Sequence, residues 1–216
     1  MSVQRHEKSQ ISYAATWLFL RHGESTANAA RHLSGWEDVA LTEQGEAQAR
    51  LAATALAAHP LARVLTSDLR RAQHTAELCL AQWATIRQEA HPPLHVDSTL
   101  RERNLGEFQG QELDALRASG ETQLLLGWNT RPPGGESHSD LAARALPLLA
   151  QLPEIEGPTL LVAHGGLIRT LLGLLDGLAL DQIGRNRVPN AVVIERTLSP
   201  GRWTELYEQY GASSCA

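Results

Sequence analysis

The sequence predicts an α/β fold, a three-layer α/β/α sandwich on a mostly parallel central sheet. Two observations carry that expectation. Short runs rich in Val, Leu and Ile, bounded by Gly, Ser, His or Pro, alternate with alanine- and leucine-rich stretches of helical period. The 216 residues are also 43% hydrophobic and 20% charged, which suits one sizeable core within one domain's length.

In chain order, residues 1–15 ("MSVQRHEKSQISYAA") are polar and lack the apolar stretch of a secretory signal. They read as a flexible segment ahead of a single domain over 16–210. The first strand, Trp17–Arg21, runs directly into His22 and Gly23. A helix capped by Thr42 follows ("LTEQGEAQARLAATALAAH"), then a second strand, Arg63–Thr66. The next helix, "SDLRRAQHTAELCLAQW", has Ser67 as its expected N-cap, and on local sequence alone Arg70 and Arg71 read as a solvated pair. From 103 to 136 the rhythm breaks, as for an insertion or lid, which residues 124–128 are expected to pack. Ser137 opens another helix, with a capping box to Asp140. Leu160–Ala163 is the third strand, followed by His164, Gly165 and a helix, and Ala191–Arg196 is the fourth.

The formal net charge of −5 leaves no large basic face, which argues against nucleic acid as a partner. The most apolar stretch, 159–180, contains His164, Arg169, Asp176 and a glycine pair, so strand, turn and helix is a better reading than a membrane span. Cys79 falls in a helical core pattern and Cys215 is next to last. With neither a disulfide framework nor zinc spacing, a reducing, cytoplasmic setting is expected.

Four separated segments place a charged or imidazole side chain at a strand end or helix start. They are Arg21 and His22 after the first strand, Arg71 just after Ser67, Glu102 in "LRERNLGEFQG", and His164 after "TLLVA". Ligands of open α/β sheets bind outside the carboxyl ends of the strands, so one pocket can hold all of them. Two arginines, two histidines and a carboxylate describe a site for a phosphate dianion. Arginine presents a planar fork of donors to phosphate oxygens. A neutral imidazole can attack phosphorus, and a carboxylic acid can protonate the leaving alkoxide. There is no Walker-type loop and no carboxylate cluster for Mg²⁺, so neither cofactor nor metal is expected. Glu102 alone has a plainer reading: set between Arg101 and Arg103, it fits a surface ion pair equally well.

Together "LRHGESTAN", "SDLRRAQHTA", "LRERNLGEFQG" and "VAHGG", with "GWEDVALTEQGEAQA" and "PGGES" also in place, resemble the signature segments of the histidine phosphatase superfamily. The resemblance is to its branch related to cofactor-dependent phosphoglycerate mutase and extends over about residues 17–197. It implies that His22 is the residue phosphorylated, that Arg21, Arg71 and His164 complete the phosphate pocket, and that Glu102 is proton donor and acceptor. It also implies substrate contacts from Asn28, Ser34, Gly35, Arg103 and Gly165. The implied partner is a small phosphorylated molecule, and because such proteins are often dimers, a homodimer is the implied assembly.

Hydrolase, mutase and non-catalytic binder are the competing readings. Retention of both His22 and Glu102 argues against the binder. The chain departs from the mutases where their tyrosine, lysine and asparagine become Leu105, Leu113 and Gly166. Between Glu107 and Glu136 only Arg117 and Arg131 are basic, little fixed charge for a bisphosphorylated intermediate. Phosphomonoester hydrolysis is therefore the expected activity, with the leaving group open. His22 must be neutral to attack and His164 protonated to oppose developing charge, so an acid-phosphatase-like optimum at acidic to neutral pH is expected. Gly23 is expected to bring backbone close beneath the phosphate.

Overall fold

The computed structural model describes residues 14–212, so most of the segment 1–15, and Cys215, lie outside the described residues. Five strands, Ala15–Arg21 (β1), Arg63–Thr66 (β2), Leu94–Val96 (β3), Thr159–Ala163 (β4) and Val193–Leu198 (β5), form one sheet in the order β3-β2-β4-β1-β5. All neighbours are parallel except β5, which runs antiparallel to β1 at the edge. The helices up to the insertion are Thr26–Ala29 (α1), Glu43–Leu56 (α2) and Arg70–Arg87 (α3). Leu113–Ala118 (α4) lies within it. His138–Gln151 (α5), Gly165–Leu175 (α6), Leu180–Ile183 (α7) and Arg202–Tyr210 (α8) follow.

Successive side chains of a strand point to opposite faces, and here both faces are covered. Leu18 and Leu20 of β1, with Val64, Leu160 and Val162, pack under α2 and α3 against Leu56, Leu80 and Trp83. Trp17 and Phe19, with Leu65 and Leu161, pack under α5, α6 and α8 against Leu146, Leu171 and Trp203. This is the expected three-layer sandwich. Burial on both faces is why β1 and β4 read as unbroken apolar runs rather than alternating ones.

The local expectations hold in part. Thr42 accepts the Gly45 N–H and caps α2, and Ser137 and Asp140 form the capping box of α5. Ser67 does not cap α3. Its hydroxyl accepts the Leu69 N–H in a turn, and the helix starts three residues later at Arg70, whose N–H is taken by the Asp38 carboxylate from another loop. The fourth expected strand starts two residues late, because Ala191 adopts a positive φ of 53° while its N–H donates to Arg21 O. β3 escaped notice: three residues are too few for a period to show.

The insertion has a small core of its own, Leu105, Phe108 and Leu116, joined by Leu33, Leu124 and Leu125. Trp128 packs instead on the main core, edge-on to Tyr210.

Candidate active site

β1 and β4 are adjacent, parallel and in register, with Arg21 opposite Ala163. Their carboxyl ends therefore release His22 and His164 side by side, the rings 5.3 Å apart between centroids, and the His22 N–H donates to Ala163 O at 2.9 Å. Gly23 serves a different purpose from the expected one. A Cβ there would overlap the carbonyl of Gly45, so glycine allows the turn after β1 to lie against the first turn of α2.

His22 is buried, and its Nδ1 lies 2.7 Å from Gly23 O. A carbonyl oxygen only accepts, so Nδ1 carries the proton and Nε2 keeps its lone pair. Arg71 Nε lies 3.3 Å from that Nε2, while Arg71 Nη1 and Nη2 donate to Glu37 O and Gly35 O, both at 2.8 Å. Arg71 is thus buried in the first turn of α3, and Arg70 beside it is exposed. Arg21 anchors Nη1 on Val188 O at 2.8 Å and leaves Nε buried without a partner among the described residues.

His164 stands at the start of α6 with both ring nitrogens buried and unpartnered among the described residues. Desolvation, then Arg71, push the His22 and His164 imidazoles well below their usual range. That suits His22 as an attacking base. It corrects the picture of a standing His164 cation: burial among arginines favours the neutral ring, and a proton can settle there only when an anion supplies the opposing charge.

Glu102 pairs with neither flanking arginine, so the surface ion-pair reading fails. Arg101 is held by Asp68, and the Glu102 carboxylate accepts N–H groups from Gly166 at 3.0 Å and Arg103 at 2.8 Å. A Cβ on Gly166 would overlap Glu102 Oε1, so glycine at 166 lets the carboxylate sit at the mouth of α6. Asn28 Oδ1 accepts from Ser25 N and Asn190 Nδ2, which leaves its own amide N–H groups for a ligand.

One cavity of about 160 Å³ is lined by Arg21, His22, Asn28, Ser34, Gly35, Glu102, Arg103 and Gly165, so eight of the ten anticipated residues meet in it. Arg71 and His164 do not line it but touch its edge at His22: Arg71 Nε lies against His22 Nε2, and the His164 ring lies 5.3 Å from the His22 ring. The cavity is below the roughly 300–1,000 Å³ of drug-sized sites, and fits a phosphoryl group with the first atoms of a leaving group.

Sequence reading missed several residues of the site. Arg169 lines the cavity from α6, with Nε on Gly165 O at 3.1 Å. Its position four residues after Gly165, on one helical face, was the available signal. His138 also lines the cavity. Trp36 and Arg144 grip the backbone carbonyl of Glu102, at 2.6 and 3.1 Å. Those are tertiary contacts of residues with no chemical signature of their own.

The family model described as histidine phosphatase superfamily (branch 1) matches residues 17–208. The chain is 36% identical over 188 residues to 2,3-bisphosphoglycerate-dependent phosphoglycerate mutase 2 of Gloeobacter violaceus, covering 83% of this chain and 84% of that one. It is 36% identical over 176 residues to a glucosyl-3-phosphoglycerate phosphatase of Mycolicibacterium vanbaalenii, covering 76% and 75%. A solved mycobacterial glucosyl-3-phosphoglycerate phosphatase, in complex with VO3, matches with a TM-score of 0.74 at 31% identity, covering 86% of this chain and 98% of that one.

Proposed function

The chain belongs to the histidine phosphatase superfamily, and from that premise we propose that it hydrolyses small phosphomonoesters through a phosphohistidine at His22. The observation that carries the reading is the pairing of His22 Nδ1 with Gly23 O, which leaves Nε2 unprotonated beside Arg71 in a residue that lines the same cavity as Arg21, Arg103, Arg169 and Glu102. Residues 16–210 act as one catalytic domain.

In the first step Nε2 attacks phosphorus in line, and the P–O bond to the leaving group breaks as the N–P bond forms. Glu102 gives its proton to the departing alkoxide. Arg21 and Arg71 hold the equatorial oxygens, and His164 takes up a proton as the dianion arrives beside it. In the second step the Glu102 carboxylate removes a proton from water, whose oxygen displaces His22 and leaves inorganic phosphate. Side-chain cations meet the phosphoryl charge throughout, so the reaction runs without a metal. Activity belongs at acidic to neutral pH, where His164 can take that proton.

Arg117 and Arg131 favour hydrolysis over a mutase reaction. They are the basic residues of the insertion after Glu107, and both are engaged in exposed ion pairs, with Asp114 and Asp140. The test is release of inorganic phosphate from a panel of phosphomonoesters in chelator. Interconversion of 3- and 2-phosphoglycerate with no phosphate release would replace this reading with the mutase one.

A further inference from the structure

His138 lines the cavity but takes no part in the two chemical steps. It is buried at the first position of α5, and both of its ring nitrogens are engaged. Nε2 lies 3.2 Å from the Leu125 carbonyl oxygen, and Nδ1 lies 2.8 Å from the Thr170 hydroxyl on α6. Desolvation, then Arg103 and Arg169, push this imidazole down to about 3, so at ordinary pH it is neutral and carries one proton. A carbonyl oxygen only accepts, so that proton is on Nε2, and Nδ1 accepts from the hydroxyl. The hydroxyl also reaches Gly166 O at 2.8 Å, and its single proton is divided between the two acceptors. The ring is therefore braced on α6 and donates to the insertion.

What the ring holds is otherwise thinly attached. The 3-10 turn Glu121–Leu125 buries none of its residues fully, and its leucines rest on the small core of the insertion. Among the described residues, two hydrogen bonds tie 121–128 to the main domain, and both come from the start of α5. One is Ser139 N–H to Trp128 O at 3.0 Å, beside a side chain already anchored in the main core. The other is His138 Nε2–H to Leu125 O. Leu125 also lines the cavity, as do Leu33 and Leu105 of the same small core. These three leucines form the apolar side of a cavity walled elsewhere by polar side chains and glycine.

We propose that His138 is a positioning residue that latches the leucine wall onto the pocket and so limits the size of the leaving group the site accepts. This rests on the hydrolase reading of the same pocket. With the latch made, the cavity keeps its volume of about 160 Å³, room for few atoms beyond the phosphoryl group. With the latch broken, Leu125 can withdraw with the turn that carries it, and the pocket deepens on its apolar side. Trp128 keeps its place in the main core, so the loosening falls on the stretch before it.

Two variants test the latch: His138→Leu fills the space without a donor, and His138→Gln carries an amide that can reach Leu125 O. Backbone amide exchange across residues 119–126 should quicken about tenfold or more in His138→Leu, while β1 and β4 exchange as in the parent. Kinetics would compare 3-phenylpropyl phosphate with ethyl phosphate, whose leaving alkoxides are of similar basicity, so that their ratio reads size rather than protonation. The kcat/KM ratio of the larger ester to the smaller should rise about tenfold or more in His138→Leu, chiefly through KM. Both readouts should return toward the parent in His138→Gln. Faster exchange at 119–126 with neither ester hydrolysed by any of the three proteins would sink the hydrolase reading and leave the latch standing. Unchanged exchange there in His138→Leu, an equal quickening in β1 and β4, or an unaltered ratio in active enzyme would overturn the latch. So would a His138→Gln protein that behaves like His138→Leu.

Discussion

The indole N–H of Trp36 donates to the backbone carbonyl of Glu102 at 2.6 Å, and the guanidinium groups of Arg101 and Arg144 lie 5.1 and 5.7 Å from the Trp36 ring. The loop carrying Trp36 also supplies the two carbonyls, from Gly35 and Glu37, that hold Arg71 against His22. One short loop thus positions both the acid and the nucleophile's partner. Trp36→Phe keeps the ring and deletes the donor. It is expected to lower kcat for alkyl phosphates about tenfold, since small misplacements of a catalytic group are costly. An aryl phosphate, whose leaving group needs little protonation, should lose less. Equal losses on both substrates would show that Trp36 does not act through Glu102.

Removing the acid itself should give the same pattern, enlarged. Glu102→Ala is expected to lower kcat about a hundredfold or more on an alkyl phosphate. Affinity for phosphate should be largely retained, because Arg21 and Arg71 remain. A good leaving group should partly restore formation of the phosphoenzyme, seen as a burst, while hydrolysis of the phosphoenzyme stays slow for want of a base. An unchanged steady-state rate with alkyl substrates would remove Glu102 from the mechanism.

Gly166 is a steric test of the same carboxylate. Gly166→Ala places a methyl group where Glu102 Oε1 lies, and the flexible acid must swing away from the Gly166 N–H. The fold should survive, with an unfolding midpoint within a few degrees of the parent, while kcat falls with the leaving-group dependence of the Glu102 variant. A midpoint lowered by ten degrees or more would mean the glycine is needed for packing instead.

Three buried histidines set the behaviour in acid. Desolvation is the main cause of depression at His22, His138 and His164. Arg71 adds to it at His22 and His164, and Arg103 at His138, which falls to about 3. The unfolded chain binds these protons near pH 6.5 and the folded chain only at lower pH. Stability is therefore fully present above about 6.5 and lost as pH falls below it. Each histidine contributes about 1.4 kcal/mol per pH unit until its folded value is reached, which for His138 is about 3. Denaturant melts from pH 7 to 5 should show this slope. Sulfate, a dianion throughout that range, should bind with net proton uptake, read from calorimetry in buffers of different ionisation enthalpy. Binding without uptake would mean that His164 stays neutral beside the anion.

The sequence made the sheet and the phosphoryl end of the site legible for a physical reason. Arg21, His22 and His164 sit at strand ends, where a run of buried residues stops and chemistry begins, so each is marked by its neighbours. Thr42 and Ser137 were readable because a cap is a local interaction. Ser67 misled because what caps α3 is Asp38, remote in sequence, and β3 was hidden by its length. Arg169 and Trp36 were missed because each enters the site by long-range packing. Arg103 was picked out only through a family resemblance, and nothing local in "RERNL" distinguishes it from a surface charge. Looking for fixed charge in the insertion alone overlooked a contribution from α6, on the far side of β4 in the chain.

The central claim is that His22 Nε2 carries the phosphoryl group during turnover. Incubation with a turned-over substrate labelled at phosphorus, quenched in alkali, should leave label on the protein, because a phosphoramidate survives base and is lost in acid, the reverse of what a phosphoserine does. Peptide mapping should place the label on His22, and His22→Ala should abolish both label and turnover. Label on Ser25, or a His22→Ala protein turning over at a rate comparable to the parent, would contradict the account.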